Sequence, residues 1–350
     1  MTRRAVSALV VLTVLATTAT ACSEDDPTVD SAAHRPTTTR ADPTIPARAP
    51  MAPLTGLALE YPAVAFRAAL VVKIDNLDAG RETARPQAGI ATADVVVEEM
   101  VEGGITRLFA IFQSARPDRV GPVRSARTTD LALVSQLNRP LFAWSGGNVK
   151  VVAAVHDAPL LDVGVDVVPG AYQRDESRRQ PHNLYVRPAD LYDRDDGDAH
   201  PPPPMFQFRL PGEDLSPGAE VVSGVRIEWG GISSVPVSYS YDARSDTWRR
   251  DQAGTPHVDA DGTPVAPRNV VILFSDYVVS PADPLSPEAR TVGSGEAWVL
   301  TKGRVVKGFW NRPTPDRPAE LATGIDRPIK LTAGRTWVEL ARRGSATLDR

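Results

Sequence analysis

The chain contains a single cysteine, Cys22, among 350 residues. One thiol cannot close an intrachain disulfide, so the folded part has to be held by a packed core. Histidines number five, and no H-E-x-x-H or comparable ligand spacing occurs. The sequence therefore calls for no metal, and no motif calls for any other cofactor. No stretch reaches the roughly 18 unbroken apolar residues that a spanning helix needs. An excess of basic residues is missing too: Lys and Arg total 39 against 43 Asp and Glu, a formal charge of -4. Phosphate backbones want a basic face, so nucleic acid is not an expected partner. No tandem repeat is visible.

What is present begins at the N-terminus. Arg3 and Arg4 precede a short apolar run over residues 5–16, and Ala19-Thr20-Ala21 lead into Cys22. Charged, then apolar, then small is the order of a secretory signal. With cysteine at the cut the segment resembles a bacterial lipobox, although Ala19 stands where Leu is more usual. The resemblance implies a signal peptide over 1–21, cleavage before Cys22 and acylation of its sulfur. The expected location is the cell membrane, lipid-anchored on the extracytoplasmic face, with the bilayer as a partner through Cys22. Loss of Arg3 and Arg4 moves the formal charge from -4 to -6.

Residues 22–52 read as a Pro- and Thr-rich tether with few large apolar residues, too few to offset ordering entropy. A first domain is expected over 53–204 and a second over 205–350, divided at His200-Pro201-Pro202-Pro203-Pro204, where consecutive prolines stiffen the chain. In the first domain, residues 69–74, 93–101 and 105–113 read as strands, the last two forming a hairpin about Gly103-Gly104. A helix is expected from Pro122, with Val123, Ala126, Val134 and Leu137 on its apolar side. A strand over 141–144, a glycine turn and a second helix over 149–155 follow. The second domain reads as strands over 225–229, 237–241, 270–279, 297–301, 305–310 and 336–340, with a hairpin turn at Lys302-Gly303. The expected fold class is α+β: a layered α/β N-terminal domain with a mixed sheet, then a β-rich C-terminal domain.

The blocks KIDN (73–76), ARPQ (84–87), ADVVVEE (93–99), VEGGITR (101–107), GPVRSAR (121–127), SGG (145–147), PHNLY (181–185), GEAWVLTKGRVVKGFW (295–310) and AGRTWVEL (333–340) resemble the YerB-like lipoprotein family. That resemblance implies a lipoprotein signal before two paired domains. The family has no established activity, so function has to be read from the residues.

Charges fall where strands and core should be. The basic set is Arg85, Arg107, Arg124, Arg127 and Arg178, and the acidic set is Asp75, Glu98, Glu99 and Glu102. Ionised groups inside a core are costly unless paired. Arginine grips carboxylate or phosphate through a planar fork. Arg124 and Arg127, three apart at the start of the expected helix, would share a face near its free N–H groups. Arg107, Arg124, Arg127 and Arg178, with the Gly146-Gly147 turn, are thus the candidate anion site. The competing reading pairs these arginines internally with the acids.

For catalysis the candidates are Asp75, Glu98 and His182, as acid and base. Glu98 and Glu99 are adjacent on a strand and face opposite ways, so Glu98 is expected to face Asp75 from a neighbouring strand. A nucleophile would have to be Ser125 or Ser145, and neither sits in G-x-S-x-G. Trp229, Trp298, Trp310 and Trp337 read as core, with sugar stacking the alternative. Two functions stay open. One is a binding or scaffold lipoprotein holding an anionic wall component or an envelope protein. The other is an envelope hydrolase or transferase acting on a glycan or peptide.

Overall fold

Runs rich in Val, Ile and Phe pack best on a pleated surface, and here they build nearly everything. The computed structural model describes residues 50–350 apart from Arg81 and Asp196. The signal, Cys22 and the tether as far as residue 49 lie outside the described residues. The described residues form one compact unit.

In the first segment the strands are β1 (Leu70–Asp75), β2 (Val95–Met100), β3 (Thr106–Phe112), β4 (Leu141–Ala143) and β5 (Leu161–Asp162), with helices α1 (Thr128–Ser135) and α2 (Val149–His156). After a hairpin of β6 (Tyr172–Arg174) and β7 (Leu184–Val186), the second segment supplies β8 (Gly224–Ile227), β9 (Val237–Asp242), β10 (Thr247–Gln252), β11 (Asn269–Leu273), β12 (Gly293–Thr301), β13 (Arg304–Arg312), β14 (Glu320–Gly324), β15 (Arg327–Pro328), β16 (Thr336–Glu339) and β17 (Ala346–Asp349). The fold is mostly β, with few and short helices in the described residues.

One mixed sheet runs β15-β14-β13-β12-β11-β16-β2-β3-β1-β4-β5. It crosses from one segment to the other where β16 pairs in parallel with β2, Glu339 opposite Glu98. The proline stretch at 200–204 is therefore no gap in the core, and Met205 just beyond it is buried. A smaller sheet contains β10, β9, β8 and β17.

The large sheet is buried on both faces, so its central strands read as continuous apolar runs. Val72, Ile74, Val96 and Leu108 join one cluster with Val225, Tyr239 and Trp248 of the smaller sheet. Val71, Val97, Phe109 and Ile111 join another with Leu133, Val134, Val151 and Val155 of the helices. Each such side chain fully buried contributes about 1.5–3 kcal/mol. Trp229, Trp310 and Trp337 are buried as core, and Trp298 packs edge-on to Phe274.

Lys302 and Gly303 both take positive φ, +50° and +65°, and turn β12 into β13 as expected. Gly104 combines a positive φ of +84° with a close approach: a Cβ there would lie 2.1 Å from the carbonyl oxygen of Gly230.

One expectation fails at Pro122. Residues 122–127 are extended, and the helix starts only at Thr128. Backbone pairing wins over the local helix signal: Asp75 N donates to Pro122 O (2.9 Å), Arg124 N to Lys73 O (2.9 Å) and Val123 N to Leu184 O (2.6 Å). Arg124 thus lies beside the end of β1, and Arg127 is the residue before the helix rather than a helical neighbour of Arg124.

Candidate functional site

Register places the charges. Asp75 stands opposite Arg107 across β1 and β3, and Arg107 opposite Glu99 across β3 and β2, so the three form a row on one sheet face. Lys73, two residues back from Asp75, shares that face.

Lys73 is fully buried and ion-pairs with Glu99 and with Asp130 Oδ1, the latter at 2.7 Å. The other Asp130 oxygen accepts from Arg127 N (2.7 Å). Burial, then the neighbouring charge of Asp130, push the Glu99 carboxyl up to about 7 against the pull of Lys73.

Asp75 gathers two partners on one oxygen. His182 Nδ1–H donates to Oδ2 at 2.6 Å, and Arg124 Nε lies 3.0 Å from the same atom. Burial alone would raise this carboxyl, but the His182 hydrogen bond and the Arg124 charge outweigh it and hold it below the usual range. Nη1 and Nη2 of Arg124 donate to no group among the described residues.

Arg127 is committed elsewhere. It forks onto Glu102, Nε to Oε1 at 2.7 Å and Nη2 to Oε2 at 2.8 Å, with Nη1 on its neighbour Ala126 O. Burial would raise Glu102, yet hydrogen bonds from Arg127 and Ser286 bring it down to about 2.

Arg107 is the exception. It is 7% exposed, makes no ion pair among the described residues, and donates from Nη1 to Ser125 O at 2.8 Å. Burial first, then repulsion from Arg127 and Arg124, lower its guanidinium to about 10 against the weaker pull of Asp75 and Glu102. Ser125 and Arg127 also line a recess of about 150 Å³ together with Gly147, Asn148, Ser280, Asp283 and Ser286. Asn148 caps α2 through Lys150 N and Val151 N, and the N–H groups of Gly146 and Gly147 meet no acceptor among the described residues.

Two expected members stand apart. Arg178 donates to Pro86 O (2.8 Å), Tyr185 Oη (2.7 Å), Thr83 O (3.1 Å) and Arg85 O (3.3 Å), so it braces the 83–86 turn and is spent there. Glu98 lies on the opposite sheet face from Asp75, against the expectation that the two meet. It accepts from Asn76 Nδ2 (3.0 Å), Thr106 Oγ1 (2.7 Å) and Arg250 Nη2 (2.7 Å), all buried. The reason is register: Asp75 and Glu99 both align with Arg107, which leaves Glu98 on the other side.

That second network is interior. Glu339 sits beside Glu98 and accepts from Tyr239 Oη at 2.5 Å; burial and the Glu98 charge push its carboxyl well above the usual range. Arg250 also reaches Gln252 and the neutral His257, and stacks over Trp337 at 4.8 Å. Sequence reasoning missed Arg250, Glu339 and Tyr239. A glutamate inside the apolar run TWVEL was the available signal.

Catalysis would need more than the Asp75–His182 pair. No hydroxyl hydrogen-bonds to His182 among the described residues, and no cluster of three His, Cys, Asp or Glu able to hold a metal occurs among them.

A family profile described as "Protein of unknown function (DUF3048) N-terminal domain" matches residues 54–199, and its C-terminal partner matches 225–338. The chain belongs to the YerB-like family of paired domains. Its relative named "Putative lipoprotein YerB", from Bacillus subtilis (strain 168), is 29% identical over 303 residues, spanning 83% of this chain and 85% of that protein. The crystal structure of the YerB protein from Bacillus subtilis has a TM-score of 0.74 at 24% identity, covering 86% of this chain and 100% of that one. The structural likeness shows the fold alone. The family is described as one of unknown function, the Bacillus relative is named a putative lipoprotein, and neither match says what the arginine cluster binds.

Proposed function

We propose that this chain is an envelope lipoprotein, anchored through acylated Cys22 on the extracytoplasmic face, whose arginine cluster binds an anionic group of a wall component or envelope protein. The observation that carries the reading is Arg107. A buried guanidinium that ion-pairs directly with no carboxylate is costly, and the attraction of Asp75 and Glu102 does not offset its burial and the neighbouring charges. It lies within repulsive reach of two further arginines, one with both terminal nitrogens unengaged. A carboxylate or phosphate drawn in by Arg107 and Arg124 would relieve that repulsion and accept charge-assisted hydrogen bonds. The free N–H groups at Gly146 and Gly147 add donors of the same sign.

The test is a thermal-shift titration of residues 48–350 with wall peptides bearing free carboxylates and with polyol-phosphate polymers, at low and high salt. A ligand that binds only the native state raises the melting temperature. The expected shift is lost in Arg124→Gln while the unliganded melting temperature stays within a few degrees. No shift with either class would reject the reading.

Hydrolysis or group transfer is the second reading, favoured by one contact. Asp75 orients His182 through Nδ1, as a base is oriented in hydrolase triads. It ranks below binding because Arg124 occupies the same carboxylate oxygen and no nucleophile meets the imidazole.

A further inference from the structure

A second cavity, of about 650 Å³, is lined by none of the arginine cluster. Its walls are Met51, Leu57, Ala58, Phe208, Leu210 and Pro211. We propose that this groove seats an anionic phospholipid of the membrane, acyl chain inside and headgroup at the rim, so that the domain rests on the bilayer by this face.

Three observations support a lipid over other occupants. The first is apolar exposure gathered in one place. Met51 is 40%, Leu57 47% and Leu210 56% exposed. Scattered exposed apolar residues need no explanation, but three converging on one groove mark a contact surface.

The second is charge. Arg209, Arg268 and Lys302 also line the groove. Lys302 and Arg268 share one oxygen of Asp246, at 3.0 and 3.5 Å. Arg209 makes no ion pair among the described residues; it donates to Glu213 O and Thr332 Oγ1. The Glu213 carboxylate is matched by Lys330. Counting Lys330, four cations thus stand against two carboxylates, Asp246 and Glu213, a surplus that suits an anionic headgroup above an apolar slot.

The third is position. The groove is built by the first described residues, closed by Ala52 N to Leu57 O and Gly56 N to Ala52 O, both 2.8 Å. Gly56, at φ +63°, lies so close to Phe208 that a Cβ would stand 2.5 Å from its ring. The anchoring cysteine precedes this loop by 27 intervening residues (23–49), at most about 95 Å of chain. A tethered groove meets the membrane at a high effective concentration, so weak intrinsic affinity suffices. In this respect the inference leans on the acyl anchor proposed above, and its first test does without that anchor.

Residues 48–350 are sedimented with vesicles of phosphatidylcholine alone and with phosphatidylglycerol added, at low and high salt. The expected result is at least five-fold stronger binding to the anionic vesicles, lost at high salt. Each basic residue near a membrane surface is worth about five-fold, so Lys302→Gln should weaken binding by about that factor without changing the melting temperature. Location is then read in the acylated full chain, whose only native thiol is consumed. A polarity-sensitive dye on Leu210→Cys should shift to the blue on anionic vesicles, and one on Ile325→Cys, 92% exposed in the native chain, should not. Equal binding to neutral and anionic vesicles, or a Leu210 dye that stays in water while the protein is bound, would overturn the proposal. Failure of acylation alone would leave the sedimentation result standing and count only against the anchor.

Discussion

His182 and Asp75 meet at 2.6 Å, through the carboxylate oxygen that Arg124 also contacts at 3.0 Å. The carboxylate is thereby committed to holding an imidazole and a guanidinium in place at the edge of the arginine cluster. Asp75→Asn leaves both without their counter-charge. The expected loss is about 2–3 kcal/mol, below that of a fully buried pair because Arg124 reaches solvent. Urea unfolding checks it. The carboxyl is lowered in the folded state, so its contribution is present above the unfolded range near pH 4 and lost as pH falls below it. Asp75→Asn should accordingly lose less stability than the native chain between pH 4 and pH 2.

Glu99 behaves in the opposite sense. Its carboxyl is raised from 4.5 to about 7, with burial the main cause. A group that holds its proton more tightly when folded contributes stability at low pH that is lost as pH rises through that window. Chemical denaturation between pH 5 and pH 8 should show this decline. Glu99→Gln, which keeps an acceptor for Lys73, should flatten it.

Arg250 is fully buried between Glu98, Gln252 and His257. Replacing it with Leu leaves the Glu98 carboxylate unpaired beside Glu339. The expected cost is about 3–5 kcal/mol, and Arg250→Leu/Glu98→Gln should recover a large part of it. A single variant as stable as the native chain would show that this network does not hold the two sheets.

Cys22 lies outside the described residues, so its role is tested chemically. Cells grown with labelled fatty acid should incorporate label into the native chain and none into Cys22→Ala. Label retained by the variant would remove the anchor.

The sheet was legible because its strands carry unbroken apolar runs, as at Leu70–Asp75 and Thr106–Phe112. Alternation also told correctly that Glu98 and Glu99 face apart. It could not tell which of them joins Asp75, because that depends on a register set by pairing with Arg107. The same blindness produced the helix expected at Pro122, where hydrogen bonds to Lys73 and Leu184, distant in sequence, keep the chain extended. Arg178 looked like a ligand-binding arginine because a saturating set of backbone carbonyls leaves no trace in composition.

In the proposed anion site, Arg107 is kept for a ligand and not for the fold. Urea unfolding of Arg107→Met measures this directly. Arg107 makes no direct ion pair among the described residues, and burial, Arg127 and Arg124 outweigh the attraction of Asp75 and Glu102, so its removal should change stability by no more than about 1 kcal/mol, the net worth of its hydrogen bond to Ser125, while the anion-induced rise in melting temperature disappears. A loss of about 3 kcal/mol or more, or a ligand shift that survives the substitution, would contradict the account.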